Sequence, residues 1–427
     1  MKGEQKKILL LSGIAHMIDV IKTAQQMGLY TIVTDREPAS PAKKFADKSY
    51  DVSTSDIDRL AEIARDEGID GVFNGFDDVN TWNALALCER LVIPYYATYE
   101  QLEICSNKDR FKEYCRKFNV PVVDEYNLTN GLDAELIARL QFPVIVKPVD
   151  SYASQGITVC YSAEDVKAGF DKALEYSKSE TAILEPFIDT PYGLMMYYTV
   201  HHGEVVLSAV TDRHVHKHFE EHPPLPIAVM FPSQHREQYL AEVDPQVRDM
   251  LRGMGIQNGV LLIQALYENG RFYLYEMGFR ISGSQHYNII EKQTGINLLE
   301  MMLDLSVGED IQKYDTRHFD DSYMPFPSCN LPILMHSGTI AEIRGLDDIL
   351  AMPEILTAVV NSKEGDTVLP SGSYAQMFGR FTIVADAQEA LNRAIDTIYD
   401  KLKIISTTGD DMLLVRYHPA ETSKPEI

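Results

Sequence analysis

The first hundred residues alternate short apolar runs with amphipathic stretches, and this order restricts the chain to few folds. Residues 7–13, KILLLSG, form a continuous apolar run that is typical of a strand buried on both faces. The next stretch has the apolar spacing of a helix and stops at Gly28, and further strand and helix patterns alternate after it. This order predicts parallel βαβ units and a doubly wound α/β domain over residues 1–100.

The middle of the chain has a different pattern. Two long hydrophobic stretches indicate antiparallel hairpins, with turns at His202–Gly203 and Asn269–Gly270. Antiparallel strands with few helices predict an α+β domain over residues 101–312, distinct from the first domain. A turn-rich segment then marks a boundary. Residues 313–427, with strands and one strong helix near 387–402, predict a small carboxy-terminal α+β domain.

Composition and charge narrow the possible partners. The formal net charge of -24 argues against a nucleic-acid partner, because proteins that bind phosphate backbones usually present a basic face. Five cysteines without CxxC spacing indicate reduced thiols and a cytoplasmic protein. The apolar amino-terminal run turns polar without a cleavage site, and no apolar stretch reaches the roughly 18 residues that span a membrane.

The first strand–helix turn bears on the class of cofactor. This turn contains only Gly13, so the GxGxxG fingerprint of dinucleotide binding is missing and a hydride-transfer enzyme is disfavoured. Asp35 ends the second predicted strand. It fits either a ribose-binding carboxylate or a solvated strand-end residue, and the solvated residue is the commoner case.

The second hairpin brings together two oxygen-bearing side chains. A three-residue turn over residues 269–271 would pair 268 with 272 and set Gln264 opposite Glu276, with Cβ atoms about 5 Å apart. A two-residue turn would place the two side chains on opposite faces. Paired hard oxygen ligands suit Mg²⁺, while the alternative is a cross-strand hydrogen bond on a wet sheet face.

A lysine and a small-residue loop follow an earlier apolar strand. Lys147 ends the run FPVIVK, and the loop DSYASQGI begins three residues later. The amine offers a point charge, and the loop offers backbone N–H groups and hydroxyls, a combination that suits a polyphosphate. The alternative is a strand-end lysine that simply reaches water.

Taken in order, these features resemble the ATP-grasp superfamily of carboxylate–amine ligases, especially members built like biotin carboxylase and the large chain of carbamoyl-phosphate synthetase. Five segments carry the likeness: NKDRFKEYCRKFNVPV, VIVKPVDSYASQGI, ILEPFI, LLIQALYENGRFYLYEMGFRISGS and TGINLLEMML. The resemblance implies a pre-ATP-grasp domain over residues 1–100 and an ATP-grasp domain over residues 101–312. A mobile subdomain would lie within the latter near residues 120–190.

The resemblance also implies the cofactors, ATP with Mg²⁺ or Mn²⁺, and the residues that hold the nucleotide. They are Lys108 and Lys147 at the phosphates, Ser151, Ser154 and Gly156 in the phosphate loop, and the backbone of Glu185 and Ile188 at the adenine.

The metal and substrate residues follow from the same resemblance. They are Gln264 and Glu276 as metal ligands, Arg280 and Arg213 at the reacting groups, and Ser282, Gly283 and Ser284 around the substrates. His286, just past the small-residue turn, fits either a residue of the acceptor site or a strand-end histidine. Arg280 matches the arginine that steadies the acyl-phosphate transition state, and the small-residue turn would let a carboxylate approach the backbone.

Several positions depart from the family pattern. Gly278 stands where the family usually has a metal-binding Asn, and the phosphate loop has one glycine instead of two or three. Asp189 is one candidate for the ribose-binding residue. In the histidine-rich segment over residues 211–226, His214, His216 and His218 alternate as zinc ligands might, although the prolines favour a loop over the site.

Three functions fit this sequence. The first is an ATP-dependent ligase, acting on small-molecule carboxylate and amine substrates such as amino acids and releasing ADP and phosphate. The second is a bicarbonate-activating enzyme, which is disfavoured by the single ATP-grasp unit and by the missing biotinyl-lysine segment. The third is a non-catalytic nucleotide-binding protein, which Gly278 allows but the retained charged residues oppose. A homodimer is compatible with each function.

Overall fold

The computed structural model describes residues 5–128, 131–151, 155–190, 192–216, 224–317, 319 and 324–419. The strands among these residues form four sheets, of which the amino-terminal one is parallel and the others are antiparallel. This mixture confirms the predicted fold class of parallel α/β followed by α+β structure. None of the helices in these ranges is long and apolar enough to cross a membrane.

The amino-terminal sheet is covered by helices on both faces. Its elements are β1 (Lys7–Leu11), α1 (Met17–Gln26), β2 (Tyr30–Thr34), β3 (Lys48–Tyr50), α2 (Ile57–Glu67), β4 (Gly71–Phe73) and α3 (Asp78–Leu91). The strand order is β3-β2-β1-β4. Ile8 and Leu10 pack toward α1, while Leu9 and Leu11 pack toward α2 and α3. The continuous apolar run therefore predicted this doubly buried strand correctly.

A small antiparallel sheet follows two connecting helices. The elements are α4 (Tyr99–Ser106), α5 (Lys108–Lys117), α6 (Ala134–Arg139), β5 (Val144–Pro148), β6 (Thr158–Cys160), α7 (Ala163–Tyr176) and β7 (Ala182–Pro186), and the strand order is β6-β5-β7. Val144 and Val146 are buried with Val166 of α7. Because side chains alternate along a strand, Lys147 projects from the other face of this sheet.

The largest sheet has eight strands and crosses the predicted boundary near residue 313. Its first part contains β8 (Tyr192–His201), β9 (Glu204–His216), β10 (Leu225–Phe231), α8 (Arg236–Glu242), α9 (Asp244–Gly253), β11 (Gly259–Glu268), β12 (Arg271–Gly278), α10 (Tyr287–Thr294) and α11 (Leu298–Ser306). Val229 of β10 pairs with Asn330 of the strand that follows the boundary. The domain limits themselves stay a prediction.

The carboxy-terminal residues extend this sheet and add a small one. They contain β13 (Ser328–Leu334), β14 (Gly338–Arg344), α12 (Leu346–Leu350), β15 (Ile355–Val360), β16 (Thr367–Val368), β17 (Met377–Val384), α13 (Gln388–Lys401) and β18 (Lys403–Ser406). The large sheet has the order β12-β11-β8-β9-β10-β13-β17-β15, and the small one has the order β16-β14-β18. The helix predicted near residues 387–402 is α13.

The two predicted hairpin turns behave differently. His201 pairs with Glu204, so the turn at His202–Gly203 is confirmed. In the second hairpin Glu268 pairs with Arg271, so the three-residue turn is wrong and the turn has two residues. The physical reason is that Asn269 and Gly270 both adopt positive φ angles, of 50° and 76°, which the favoured two-residue hairpin turn requires.

The predicted pairing of Gln264 with Glu276 nevertheless holds. A β-bulge interrupts the ladder, because Ala265 pairs with Leu274 while Gln264 pairs with Glu276. Tyr275 is the extra residue, and its insertion shifts the register by one position. The bulge therefore restores the same-face arrangement that the two-residue turn alone would have destroyed.

Candidate active site

The start of α5 lies against the loop that follows β5. The backbone N–H of Lys108 donates to the carbonyl of Val149 over 2.9 Å, and its Nζ donates to the carbonyl of Ser151 over 3.0 Å. Burial lowers the pKa of Lys108, and the carboxylate of Glu276 opposes that change. The structure thus brings together the predicted lysine, the predicted phosphate loop and the predicted metal hairpin.

Lys147 belongs to a buried cluster of charges. Its Nζ lies 2.6 Å from one carboxylate oxygen of Glu185, and both side chains are almost completely buried. Lys112 pairs with the other oxygen of Glu185 and lies 2.8 Å from Glu125. Burial, together with the ammonium groups of Lys112 and Lys108, lowers the pKa of Lys147 well below its usual range. An anion placed beside these lysines would relieve their mutual repulsion.

Sequence reasoning missed two members of this cluster. It used only the backbone of Glu185, whereas the side chain joins two lysines. A signal for Lys112 existed, because it follows Lys108 by one helical turn and therefore lies on the same face of α5. Glu125 lies beyond the end of α5 and had no comparable signal.

The predicted metal ligands lie side by side, but the amide is engaged elsewhere. Nε2 of Gln264 is 3.4 Å from Oε2 of Glu276, a weak contact. Oε1 of Gln264 accepts a hydrogen bond of 2.8 Å from the hydroxyl of Tyr275 and another from the guanidinium of Arg213. The amide oxygen of Gln264 and the carboxylate oxygens of Glu276 are of the ligand type that hard cations such as Mg²⁺ prefer. Because Nε2 of Gln264 now faces Glu276, the amide group has to rotate about its terminal side-chain bond before its oxygen can bind a cation together with Glu276.

Arg280 is held by an acidic residue of the amino-terminal α/β region, at the start of α3. Its Nε and Nη2 donate to the two carboxylate oxygens of Asp78 over 2.7 and 2.9 Å. Asp78 begins α3, after a four-residue loop from the carboxyl end of β4, and parallel sheets commonly place functional side chains at this end of their strands. This two-point contact fixes the plane of the guanidinium. The sequence offered no sign that these two residues would meet.

The small-residue turn is tightly packed. A Cβ atom on Gly283 would lie 3.3 Å from the Cβ of Phe76, a tight contact that a larger residue could make only if Phe76 shifted slightly. The carbonyl of Gly283 accepts from Arg380 over 3.4 Å, and the carbonyl of Ser284 accepts from Asn330 over 3.0 Å. Ser282, at the start of the turn, is also buried. Residues of the carboxy-terminal part therefore reach the predicted substrate turn.

His286 is completely buried beneath this turn. Its Nδ1 shares a hydrogen bond with the hydroxyl of Tyr197, while its Nε2 has no partner in the described part of the chain. Burial, and then the charge of Arg380, lower the pKa of His286 to about 3. The imidazole is therefore neutral near physiological pH and can accept a hydrogen bond but supplies no positive charge.

The remaining predicted residues have less distinct environments. Gly156 has a positive φ of 74°, and a Cβ there would lie 2.7 Å from that of Tyr176, so glycine is required. Ile188 is half-buried and Asp189 is exposed just after β7. Ser154 and His218 lie outside the described residues.

The histidine-rich segment does not form a metal centre within the described residues. His214 is buried and packs against the ring of Tyr417, with ring centroids 4.9 Å apart. Burial lowers the pKa of this histidine to about 4. In the ranges that the structure describes, no three His, Cys, Asp or Glu side chains group together as metal ligands.

Two protein-family models match the parts of the chain that form this site. Residues 107–314 match the family described as carbamoyl-phosphate synthase L chain, ATP binding domain. Residues 333–406 match the L-amino acid ligase C-terminal domain 2. These two matches cover the elements that carry the lysines, the hairpin, the substrate turn and Arg380.

Individual relatives are distant. The formate-dependent phosphoribosylglycinamide formyltransferase of Sulfurisphaera tokodaii is 27% identical over 212 residues, which are 48% of this chain and 53% of that protein. The chain thus spans about half the length of this curated relative. The solved L-amino acid ligase from Bacillus licheniformis superposes with a TM-score of 0.76 at 19% identity, covering 95% of this chain and 100% of that one. The phosphoribosylglycinamide synthetase from Anaerococcus prevotii superposes with a TM-score of 0.73 at 19% identity, covering 95% of this chain and 100% of that one. These solved structures share the fold.

Proposed function

We propose, from the chain's membership of the ATP-grasp superfamily, that it is an ATP-dependent ligase that joins a carboxylate to an amine through an acyl phosphate. The products would be the amide, ADP and phosphate. The observation that carries the proposal is the convergence of charged side chains from three segments: Lys108 of α5, Lys147 of β5, and Glu276 with Arg280 at the end of β12, whose charges act on one another.

Each of these side chains has a role that its position supports. Lys147 and Lys108 would bind the phosphates of ATP at the face of the small sheet that α7 leaves free. Arg280, oriented by Asp78, would bind the carboxylate oxygen as it attacks the γ-phosphorus and the bond to ADP breaks. Fixed donors of this kind stabilise developing charge because they are already oriented before the reaction.

The metal residues complete this arrangement. Glu276 and Gln264 would hold Mg²⁺, which supplies neutralisation of the β- and γ-phosphate oxygens. Neutral His286 and the carbonyls of the small-residue turn would line the place where the amine meets the acyl group. The match of residues 333–406 to L-amino acid ligases supports an amino acid as one substrate. A homodimer stays a prediction.

A product assay tests the proposed reaction. Pairs of amino acids and small carboxylic acids are offered with ATP and Mg²⁺, and the nucleotide product and released phosphate are measured. We expect ADP and phosphate in equal amounts, and only when both substrates are present. Formation of AMP, or hydrolysis of ATP that no carboxylate stimulates, would contradict the proposal.

The cluster of buried charges gives a prediction for nucleotide binding. Changing Lys147 to Ala should weaken ATP binding about ten- to hundredfold, because a charge-assisted contact to phosphate contributes about 1.5–3 kcal/mol. The fold should survive, since Lys112 still pairs with Glu185. Titration calorimetry measures the change, and Lys172→Ala on the exposed face of α7 is the control. Equal ATP affinity in wild type and Lys147→Ala would contradict the assignment.

The glycine at position 278 gives a second prediction. A Cβ there would lie 3.5 Å from Leu262 and 3.7 Å from Oδ1 of Asp78, which are ordinary contact distances. Gly278→Asn should therefore fold and add an oxygen ligand beside Glu276. We expect the Mg²⁺ concentration for half-maximal activity to fall about fivefold, which corresponds to about 1 kcal/mol.

Gly278→Ala is the matched control, because it restricts the backbone in the same way but adds no oxygen. The measurement is a Mg²⁺ titration of ADP formation for the three proteins. If Gly278→Ala lowers the Mg²⁺ requirement as much as Gly278→Asn, the added side chain does not act as a ligand.

A further inference from the structure

Three arginines from separate parts of the chain act electrostatically on Tyr197 of β8. They are Arg213 of β9, Arg280 after β12 and Arg380 of β17, and the charge of each acts on the tyrosine hydroxyl. Arg280 has its carboxylate partner in Asp78. In the part of the chain that the structure describes, neither of the other two arginines pairs with a carboxylate.

Arg380 is the least satisfied of the three. Its side chain comes from the carboxy-terminal part of the sheet, and only 6% of the residue is exposed. Nη1 makes one long hydrogen bond of 3.4 Å to the carbonyl of Gly283, and the guanidinium carbon lies 5.5 Å from the ring centroid of Tyr374. Its Nε has no partner among the described residues. A buried guanidinium with open donors is costly unless an anion pairs with it.

The titratable groups near Arg380 that the structure describes do not compensate its positive charge. His16 and His286 both lie in the field of Arg380, and burial followed by that charge lowers their pKa values to about 4 and about 3. Both imidazoles are therefore neutral near pH 7. The hydroxyl of Tyr197 also stays protonated, because burial raises its pKa. Among the described residues, the surroundings of Arg380 thus offer hydrogen-bonding groups but no paired carboxylate, which is an environment suited to a carboxylate ligand.

The position of Arg380 relative to Arg280 limits what that carboxylate belongs to. Arg280 reaches the carbonyl of Ile281 over 3.3 Å, and Arg380 reaches that of Gly283 over 3.4 Å. Carbonyls two residues apart are separated by at most about 7 Å of chain. An α-amino acid carries its amine and carboxylate on one carbon. With the carboxylate on Arg380, the amine can approach an acyl group bound at Arg280 to the roughly 3–3.5 Å needed for attack.

We propose that Arg380 binds the carboxylate of the amine-bearing substrate, so that the acceptor is an α-amino acid. This inference rests on the proposed ligase function and names the substrate class of the same site. The guanidinium orients the acceptor through its carboxylate, and Gly283, Tyr197 and His286 line the path from that carboxylate to the acyl group. Amines without a carboxylate lack this anchor and are poor acceptors.

The first arm of the test uses the wild-type protein. Each of the twenty common L-amino acids is offered as acceptor, and in parallel its amide, with ATP, Mg²⁺ and a constant carboxylate donor. We expect phosphate release with amino acids and at least tenfold lower kcat/KM with the corresponding amides. Equal use of amides and acids would overturn the inference and leave the ligase function standing. Absence of phosphate release with every donor and acceptor pair would overturn both.

The second arm uses variants of the arginine. In Arg380→Gln we expect the KM for the amino-acid acceptor to rise about ten- to hundredfold, the loss typical of one charge-assisted contact, with kcat and the KM for ATP little changed. Arg380→Lys should recover part of the affinity. Arg344→Gln is the matched control, because Arg344 is exposed on β14 and pairs only with Glu342 among described residues.

Two results of the second arm would contradict the inference. If Arg380→Gln raises the KM of the carboxylate donor instead of the acceptor, the arginine binds a second carboxylate of the activated acid. If Arg380→Gln keeps the wild-type preference for acids over amides, the arginine has no part in recognition. Should Arg380→Gln fail to fold, Arg380→Lys and the wild-type comparison of acids with amides decide the question.

Discussion

Changing Glu276 to Gln should lower turnover at least a thousandfold, a loss of about 4 kcal/mol in transition-state stabilisation. Glu276 is the anionic member of the pair on β11 and β12, and the carboxylate of Asp78 nearby is already occupied by Arg280. The variant keeps the size of the side chain and its contact with Gln264 while removing the charge. Glu276 would hold the divalent cation that neutralises the phosphate oxygens of ATP. Phosphoryl transfer should therefore fail when this carboxylate is removed.

Nucleotide binding should change much less than turnover in this variant. Adenine would be bound through the backbone around Glu185, and the phosphates through Lys108 and Lys147, all of which remain. Single-turnover ADP formation and ATP titration on the same protein separate the two effects. Glu268→Gln near the turn of the same hairpin is the control, because it makes the same chemical change away from the lysines. If Glu276→Gln turns over like wild type, the metal site and the ligase mechanism are both wrong.

The Glu276 hairpin also illustrates what sequence can specify. The residues Asn269–Gly270 favour a two-residue turn, because both adopt positive φ angles readily. The pairing of Gln264 with Glu276, however, seemed to require a three-residue turn. The bulge at Tyr275 resolves this conflict. At the bulge, the hydroxyl of Tyr275 makes hydrogen bonds with Gln264 and Arg213. No local sequence pattern predicts these contacts.

Local periodicity was sufficient for the parallel amino-terminal sheet, because strand burial and helix amphipathicity are properties of neighbouring residues. Contacts between distant segments were not predictable in the same way. Asp78 and Arg280 are separated by 202 residues, and Gly283 and Arg380 by 97. The family resemblance pointed to Arg280 but not to its partner Asp78, and nothing in the sequence pointed to Arg380. Arg380 of β17 comes to the substrate turn because β13 and β17 continue the large sheet beyond β10.

The buried cluster around Glu185 predicts the largest effect on stability. Lys112 is fully buried, and its ammonium group donates to Glu185 and, over 2.9 Å, to the carbonyl of Val123, while it forms an ion pair of 2.8 Å with Glu125. Changing Lys112 to Met preserves the length of the side chain but removes all three interactions. Removing one partner of a buried ion pair typically costs about 3–5 kcal/mol, and we expect about 3 because Lys147 still pairs with Glu185.

Chemical denaturation of Lys112→Met measures this loss, and Lys117→Met at the exposed end of the same helix is its control. A variant as stable as wild type would show that the cluster does not hold α5 to the small sheet.

The double variant Lys112→Met, Lys147→Met sharpens the argument, because each lysine compensates for loss of the other. Removing both leaves the carboxylate of Glu185 buried without a cation. The destabilisation of the double variant should therefore exceed the sum of the two single changes by about 1–3 kcal/mol. Purely additive losses would mean that Glu185 is neutralised by protonation or reaches water once either lysine is gone. The two lysines differ in function as well: Lys147→Met should also weaken ATP binding, whereas Lys112→Met should affect mainly the free energy of unfolding.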